Sequence, residues 1–273
     1  MKTILNKYPT PARFVLAIIL FGLALVLSGL IDTPKLKQYF PYTSAILLLI
    51  ATWVLYKTDR KSLSAVGLNL SVRNISFLPL GIIIGAIALL IANYARALYA
   101  GESFAIAESV NYTAILYAFY TILPTVAVEE FLFRGYLFKK TIKSSSVIIA
   151  NIIFSVLFML IHVIDENVIN NIGMMVFLTI SIPVGHLLFA TALLKSRTLY
   201  FPIGLHLGNN WATRHLVSKS GDGNSIFYTF NNTTFDTWPS FIGFILIFNG
   251  VFLILTFLIW KWNDFSFGKK KGQ

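Results

Sequence analysis

The chain has 273 residues, of which 56% are hydrophobic and only 12% charged, and its net charge is +11. Soluble domains carry roughly a quarter charged residues, so a mean hydropathy of +0.74 excludes an ordinary water-soluble globule and points to a polytopic membrane protein. The absence of cysteine excludes disulfides, thiolate metal sites and a Cys nucleophile.

Eight apolar segments follow one another, at residues 13–31, 42–55, 77–98, 112–138, 147–164, 172–194, 199–217 and 239–262. They are long and continuous rather than alternating, which predicts helices and not strands, because a helix satisfies its own backbone in lipid. The first follows Lys2 and Lys7 in the manner of a signal peptide. Its apolar run is too long for one, and no small-residue cleavage site follows Leu27 to Ile31, so a retained span is expected. The second is short for a span. No repeat or soluble insertion interrupts the series. The expected fold is therefore an all-α bundle of about eight transmembrane helices, with residues 1–273 forming a single membrane domain.

Charge then orients the spans. With the N-terminus in the cytoplasm, 16 Lys and Arg fall in inner segments and 5 in outer ones (Lys35, Lys37, Arg96, Arg214, Lys219). The inner set includes Lys2, Lys7, Lys57, Lys61, Lys139, Lys140, Lys143 and Lys269 to Lys271. Acidic residues invert the bias: Asp59 and Asp264 are inner, while Asp222 and Asp236 are among the outer ones. This is the positive-inside pattern, with both termini cytoplasmic. The basic charge suits an anionic lipid surface and not nucleic acid.

The fourth segment holds V-E-E-F-L-F-R-G-Y-L-F, Val128 to Phe138. A charge at bilayer depth costs about 2.5–3.5 kcal/mol, so Glu129, Glu130 and Arg134 need partners. Glu130 and Arg134 are four apart, acid first, which suits an ion pair on one helix face. Glu129 points about 100° away from Glu130. The pattern assigns Glu130 and Arg134 to structure and leaves Glu129 to react; the competing reading is a packing network or conduction path. The fifth segment carries F-M-L-I-H, with Phe158 one turn before His162. The seventh carries H-L-G-N-N, with His206 and Asn210 on one face and Asn209 beside it. His186 and His215 lack such partners and read as helix-to-helix hydrogen bonders.

These three stretches, in this order on separate helices, resemble the motifs EExxxR, FxxxH and HxxxN of the CAAX-protease and bacteriocin-processing family. The resemblance covers residues 112–217, the expected catalytic core, and implies an intramembrane endopeptidase. It further implies that Glu129 activates a water held between it and His162. His206 and Asn210 would donate hydrogen bonds to the oxyanion, and Phe158 would brace His162. The family is often labelled metalloprotease, and Glu129, His162 and His206 could form a zinc site. No His-Glu-x-x-His is present, and Asn is an uncommon zinc ligand. A metal-independent reaction without cofactor is therefore preferred, with zinc as the open alternative.

The implied partner besides the bilayer is a membrane-embedded, secreted or lipidated (CAAX-like) peptide. A peptide-maturation or self-immunity protease in a bacterial cell membrane is the favoured setting. The alternatives are a non-enzymatic scaffold that regulates other membrane proteins, and a transporter, which would need a second ionisable cluster. Oligomeric state is not legible. One distance disagrees with the scheme. At about 1.5 Å per residue, Glu129 lies roughly 10–14 Å from the inner end of its span, but His162 lies roughly 22–24 Å from the start of its own.

Overall fold

The computed structural model describes residues 9–219, 221, 223–231, 234–235 and 237–262. The basic residues Lys2, Lys7, Lys269, Lys270 and Lys271, and the acids Asp222, Asp236 and Asp264, lie outside the described residues. All eight expected segments are helical. In chain order the helices are α1 (Pro9–Ile31), α2 (Pro34–Tyr39), α3 (Thr43–Thr58), α4 (Val72–Ala100), α5 (Tyr112–Phe133), α6 (Tyr136–Ser144), α7 (Val147–Val163), α8 (Glu166–Ile169), α9 (Ile172–Ser196), α10 (Tyr200–His215) and α11 (Trp238–Lys261). The protein is a multi-pass integral membrane bundle.

Side-chain caps start most of the long helices, taking up backbone N–H groups that the first turn leaves unpaired. Ser71 caps α4, Asn111 caps α5, Ser146 caps α7, Asn171 caps α9 and Thr237 caps α11. Pro79, Pro124 and Pro183 lie inside α4, α5 and α9. Neighbouring helices make such breaks tolerable in a membrane bundle.

Length separates the helices into classes. Among the described residues, five helical stretches are long and apolar enough to cross a membrane; α3 and α7 are apolar but shorter. The helix α10 belongs to neither class. Its 16 residues reach about 24 Å, short of a hydrocarbon core of about 30 Å. It need not face lipid along its length, because Phe201 through Gly208 are all buried.

What surrounds α10 is chiefly α4, at backbone contact. Gly81 and Gly85 on α4 and Gly204 and Gly208 on α10 form two small-xxx-small stripes face to face. A Cβ on Gly208 would stand 2.1 Å from the carbonyl oxygen of Ile82, and one on Gly85 would stand 2.2 Å from that of Leu205. Such stripes let membrane helices approach closely where lipid supplies no hydrophobic drive. Trp211 ties α10 to α5 as well, its indole N–H donating to the Ile115 carbonyl at 2.9 Å.

Two features depart from the expected pattern. The segment 112–138 is not one helix: it breaks at Arg134 and Gly135, where Gly135 packs so tightly that a Cβ would lie 2.3 Å from the Phe131 carbonyl oxygen. In addition, strands occur outside the spans. A three-stranded sheet of order β1-β3-β2 joins β1 (Ser103–Ile106), β2 (Val217–Ser218) and β3 (Phe227–Phe230). Ser103 opposes Phe230 in the antiparallel pair, and Val217 opposes Phe227 in the parallel one.

Candidate active site

The break after α5 resolves the mismatch in depth. Phe158 on α7 packs against Phe133 at the end of α5, with ring centroids 4.9 Å apart, and Phe138 on α6 meets Phe154 at 5.6 Å. The helix α7 therefore runs back along α6 and then along the end of α5. Val147 starts α7 eleven residues before Phe158, about 16 Å beyond the end of α5. From the Phe133–Phe158 contact, Glu129 lies one turn up α5 and His162 one turn up α7. The two candidate residues stand at the same level.

A cavity of about 1500 Å³ opens here between α4, α5, α7, α9, α10 and α11. Glu129, Phe158, His162, His206, Asn209 and Asn210 all contribute to its wall. The three sequence stretches are thus brought to one space. Phe177, Phe241, Phe244 and Phe248 line an aromatic section of the same cavity, contributed by α9 and α11.

The two adjacent glutamates part company. Glu130 is fully buried, whereas the Glu129 side chain keeps 17% of its surface exposed and reaches the cavity. Arg134, also fully buried, donates from Nη1 to Glu130 Oε1 at 2.9 Å. Its guanidinium lies 4.1 Å from the Phe158 ring centre and 5.2 Å from that of Phe189, so two π faces stabilise the part of the cation the carboxylate does not reach. Arg134 ends α5 rather than continuing it, but the pair at spacing four survives, because its backbone N–H still bonds to the Glu130 carbonyl.

Glu130 has a second tie that spacing along the chain could not reveal. His206 Nδ1 lies 2.9 Å from the same Oε1. An ionised carboxylate only accepts, so Nδ1 carries the proton. That leaves His206 Nε2 towards the cavity, 3.5 Å from Glu129 Oε2. The ring is held flat on Phe189, with centroids 4.6 Å apart and planes 19° apart. His162 is fixed differently. Its Nδ1–H donates to the Phe158 carbonyl at 2.7 Å, one turn back, and the Phe158 ring braces it edge-on at 4.7 Å. Nε2 of His162 then keeps its lone pair in the neutral ring.

The proposed zinc set does not fit this arrangement. Among the described residues, no group of three His, Cys, Asp or Glu side chains stands close enough to hold a metal ion. Glu129 approaches His206, but His162 does not join them in such a group. His186 takes no part in the site. It is fully buried beside the rings of Phe138 and Phe158. His215 hydrogen-bonds to the Asn224 carbonyl at 3.0 Å.

Residues 111–212, from the cap of α5 to the last turns of α10, match the family described as Rce1-like, type II CAAX prenyl endopeptidase. Over this stretch the chain is similar to that family. No curated protein and no solved structure matches the chain. The matched stretch holds all seven candidate residues, Glu129, Glu130, Arg134, Phe158, His162, His206 and Asn210. It leaves out α4, whose glycines hold α10 in place. That contribution was readable in the sequence as G-I-I-I-G (Gly81 to Gly85) opposite G-L-H-L-G (Gly204 to Gly208), the second spanning His206 itself.

Proposed function

We propose that the protein hydrolyses a peptide bond of a membrane-embedded or lipid-anchored peptide, with Glu129 as general base. One observation carries this reading: Glu129 reaches the cavity while the adjacent Glu130 is sealed between Arg134 and His206. A catalytic carboxylate has to meet water, and the burial of Glu130 as the partner of Arg134 leaves Glu129 to do so. A scaffold would have no use for that asymmetry.

In the reaction, a water between Glu129 and His162 Nε2 gives its proton to Glu129 as it attacks the carbonyl carbon. The developing oxyanion is received by His206 Nε2 and the Asn210 amide. Since Nδ1–H of His206 is given to Glu130, Nε2 donates only from the imidazolium. Glu129, Glu130, Arg134 and a charged His206 then sum to zero, which a site at membrane depth requires. Glu129 passes the proton to the leaving amine, and the tetrahedral centre collapses. No metal enters any step.

The aromatic section of the cavity suits an apolar substrate portion, either a transmembrane segment or a covalently attached lipid. The setting proposed for it is maturation of secreted or membrane peptides in a bacterial membrane. The test is cleavage of a lipidated and an unlipidated fluorogenic peptide by purified protein, with and without chelator. Wild-type cleavage that survives exhaustive chelation and is abolished in Glu129→Gln supports the reading. Loss to chelator with rescue by zinc overturns the metal-free mechanism, and unimpaired Glu129→Gln overturns the assignment of the base.

A further inference from the structure

A second pocket lies at the basic end of the bundle, apart from the active-site cavity. It measures about 120 Å³, well above the roughly 10–15 Å³ one water requires, so a group the size of a phosphate fits. Four lysines from two separate parts of the chain line it: Lys61 after α3, and Lys139, Lys140 and Lys143 on α6. Tyr56 and Tyr136, ring edge to ring face at 5.2 Å, form its floor. One carboxylate, Asp59, also lines it.

That carboxylate is already spent. Asp59 Oδ1 pairs with Arg13 Nε at 2.7 Å, and Oδ2 accepts from the Tyr136 hydroxyl at 2.9 Å. Lys140 reaches the same carboxylate only at 3.6 Å. Lys139 donates to the Ala65 carbonyl, a neutral acceptor, at 2.7 Å. Lys61 and Lys143 have no carboxylate within ion-pair distance among the described residues. Meanwhile Lys61 and Lys139 feel each other's charge, as do Lys140 and Lys143.

The turn that delivers Lys61 is itself built. Arg60 sits in the left-handed region at φ 57°, and Lys61 N–H bonds back to the Tyr56 carbonyl at 2.8 Å. This is the Schellman closure that glycine usually serves. Folding the chain sharply over the end of α3 sets Lys61 beside α6 instead of away from it. Lysines gathered against a tyrosine floor, repelling one another with the one acid among the described lining residues neutralised, describe an anion site. Its position at the end of a membrane bundle says which anion is at hand, because basic pockets between membrane helices take phospholipid headgroups.

We propose that this pocket binds the phosphate of an anionic phospholipid headgroup, with Lys61 and Lys143 as the uncommitted cations that close on it. The experiment uses the full chain in detergent. Thermal unfolding is followed with phosphatidylglycerol micelles, phosphatidylcholine micelles or inorganic phosphate added, for the wild type, Lys61→Gln/Lys143→Gln and Lys35→Gln/Lys37→Gln. The control pair removes equal charge from exposed positions on α2, in a segment remote from the pocket. The expected result is a rise of several degrees with phosphatidylglycerol only, lost in the first double variant and kept in the second. Equal loss in both variants would mean diffuse attraction to charge and overturn the pocket. Stabilisation by phosphate but not by phosphatidylglycerol would overturn the lipid. Because both lysines are exposed and have no ion pair among the described residues, the variants should melt like wild type without lipid; a lowered baseline would assign them a structural role and likewise overturn the proposal.

Discussion

Gly208→Ala tests the backbone contact between α4 and α10. The added Cβ would lie 2.1 Å from the Ile82 carbonyl oxygen and 2.8 Å from the Ile82 Cα, where ordinary contact begins at 3.4 Å. The helices must part by about 1.3 Å, since the obstructing atoms are backbone and no side chain can swing away. Overpacking of this kind costs about 1–3 kcal/mol, and a clash of backbone with Cβ belongs at the upper end. For a domain of this size that lowers the melting temperature by about 2–4 °C per kcal/mol. The same shift moves His206 and Asn210, two positions to either side, and misplacement by about 1 Å can cost on the order of 10²-fold in turnover. Gly250→Ala is the control, because nothing lies within 4 Å of its Cβ position. Thermal unfolding in detergent and peptide cleavage should both fall for Gly208→Ala and hold for Gly250→Ala. Equal melting temperatures and equal turnover in the two variants would refute the close approach.

Glu130→Gln and Arg134→Ala should each destabilise the fold by about 3–5 kcal/mol, as for other broken buried pairs, and so lower melting temperature and yield, while Glu129→Gln melts near wild type; equal destabilisation by all three would contradict the division between the glutamates. Asn210→Ala should reduce turnover by about 10²–10³ with substrate affinity little changed, as measured by kcat and KM on a cleavable peptide. Both termini are expected in the cytoplasm, so reporter fusions beyond residue 262 should give a cytoplasmic signal, and an external one would remove the eight-span arrangement.

Much of this was legible in the chain because lipid enforces a simple code. Every long apolar run is helical, one of them as two helices, and three short polar motifs on separate helices contribute to one cavity. What escaped reading was tertiary or masked by composition. The break at Arg134 was hidden because Leu137 and Phe138 continue the apolar run, although Gly135 stood there as a signal. The bond from Glu130 to His206 joins residues 76 apart, and no local spacing could announce it. The sheet was missed because its strands are only two to four residues long and sit in loops, where apolar runs are too short to register.

That sheet bears on how a substrate could enter. Its outer strands β1 and β2 directly follow α4 and α10, and β3 hydrogen-bonds to both. The two helices are thus cross-tied at one end and seamed along their length by glycines against backbone. A bundle that admits a peptide must yield somewhere, and this seam is the least able to do so. Beyond that seam α9 and α11 meet through phenylalanine rings, and the Asn249 amide donates to the Ser181 hydroxyl between them.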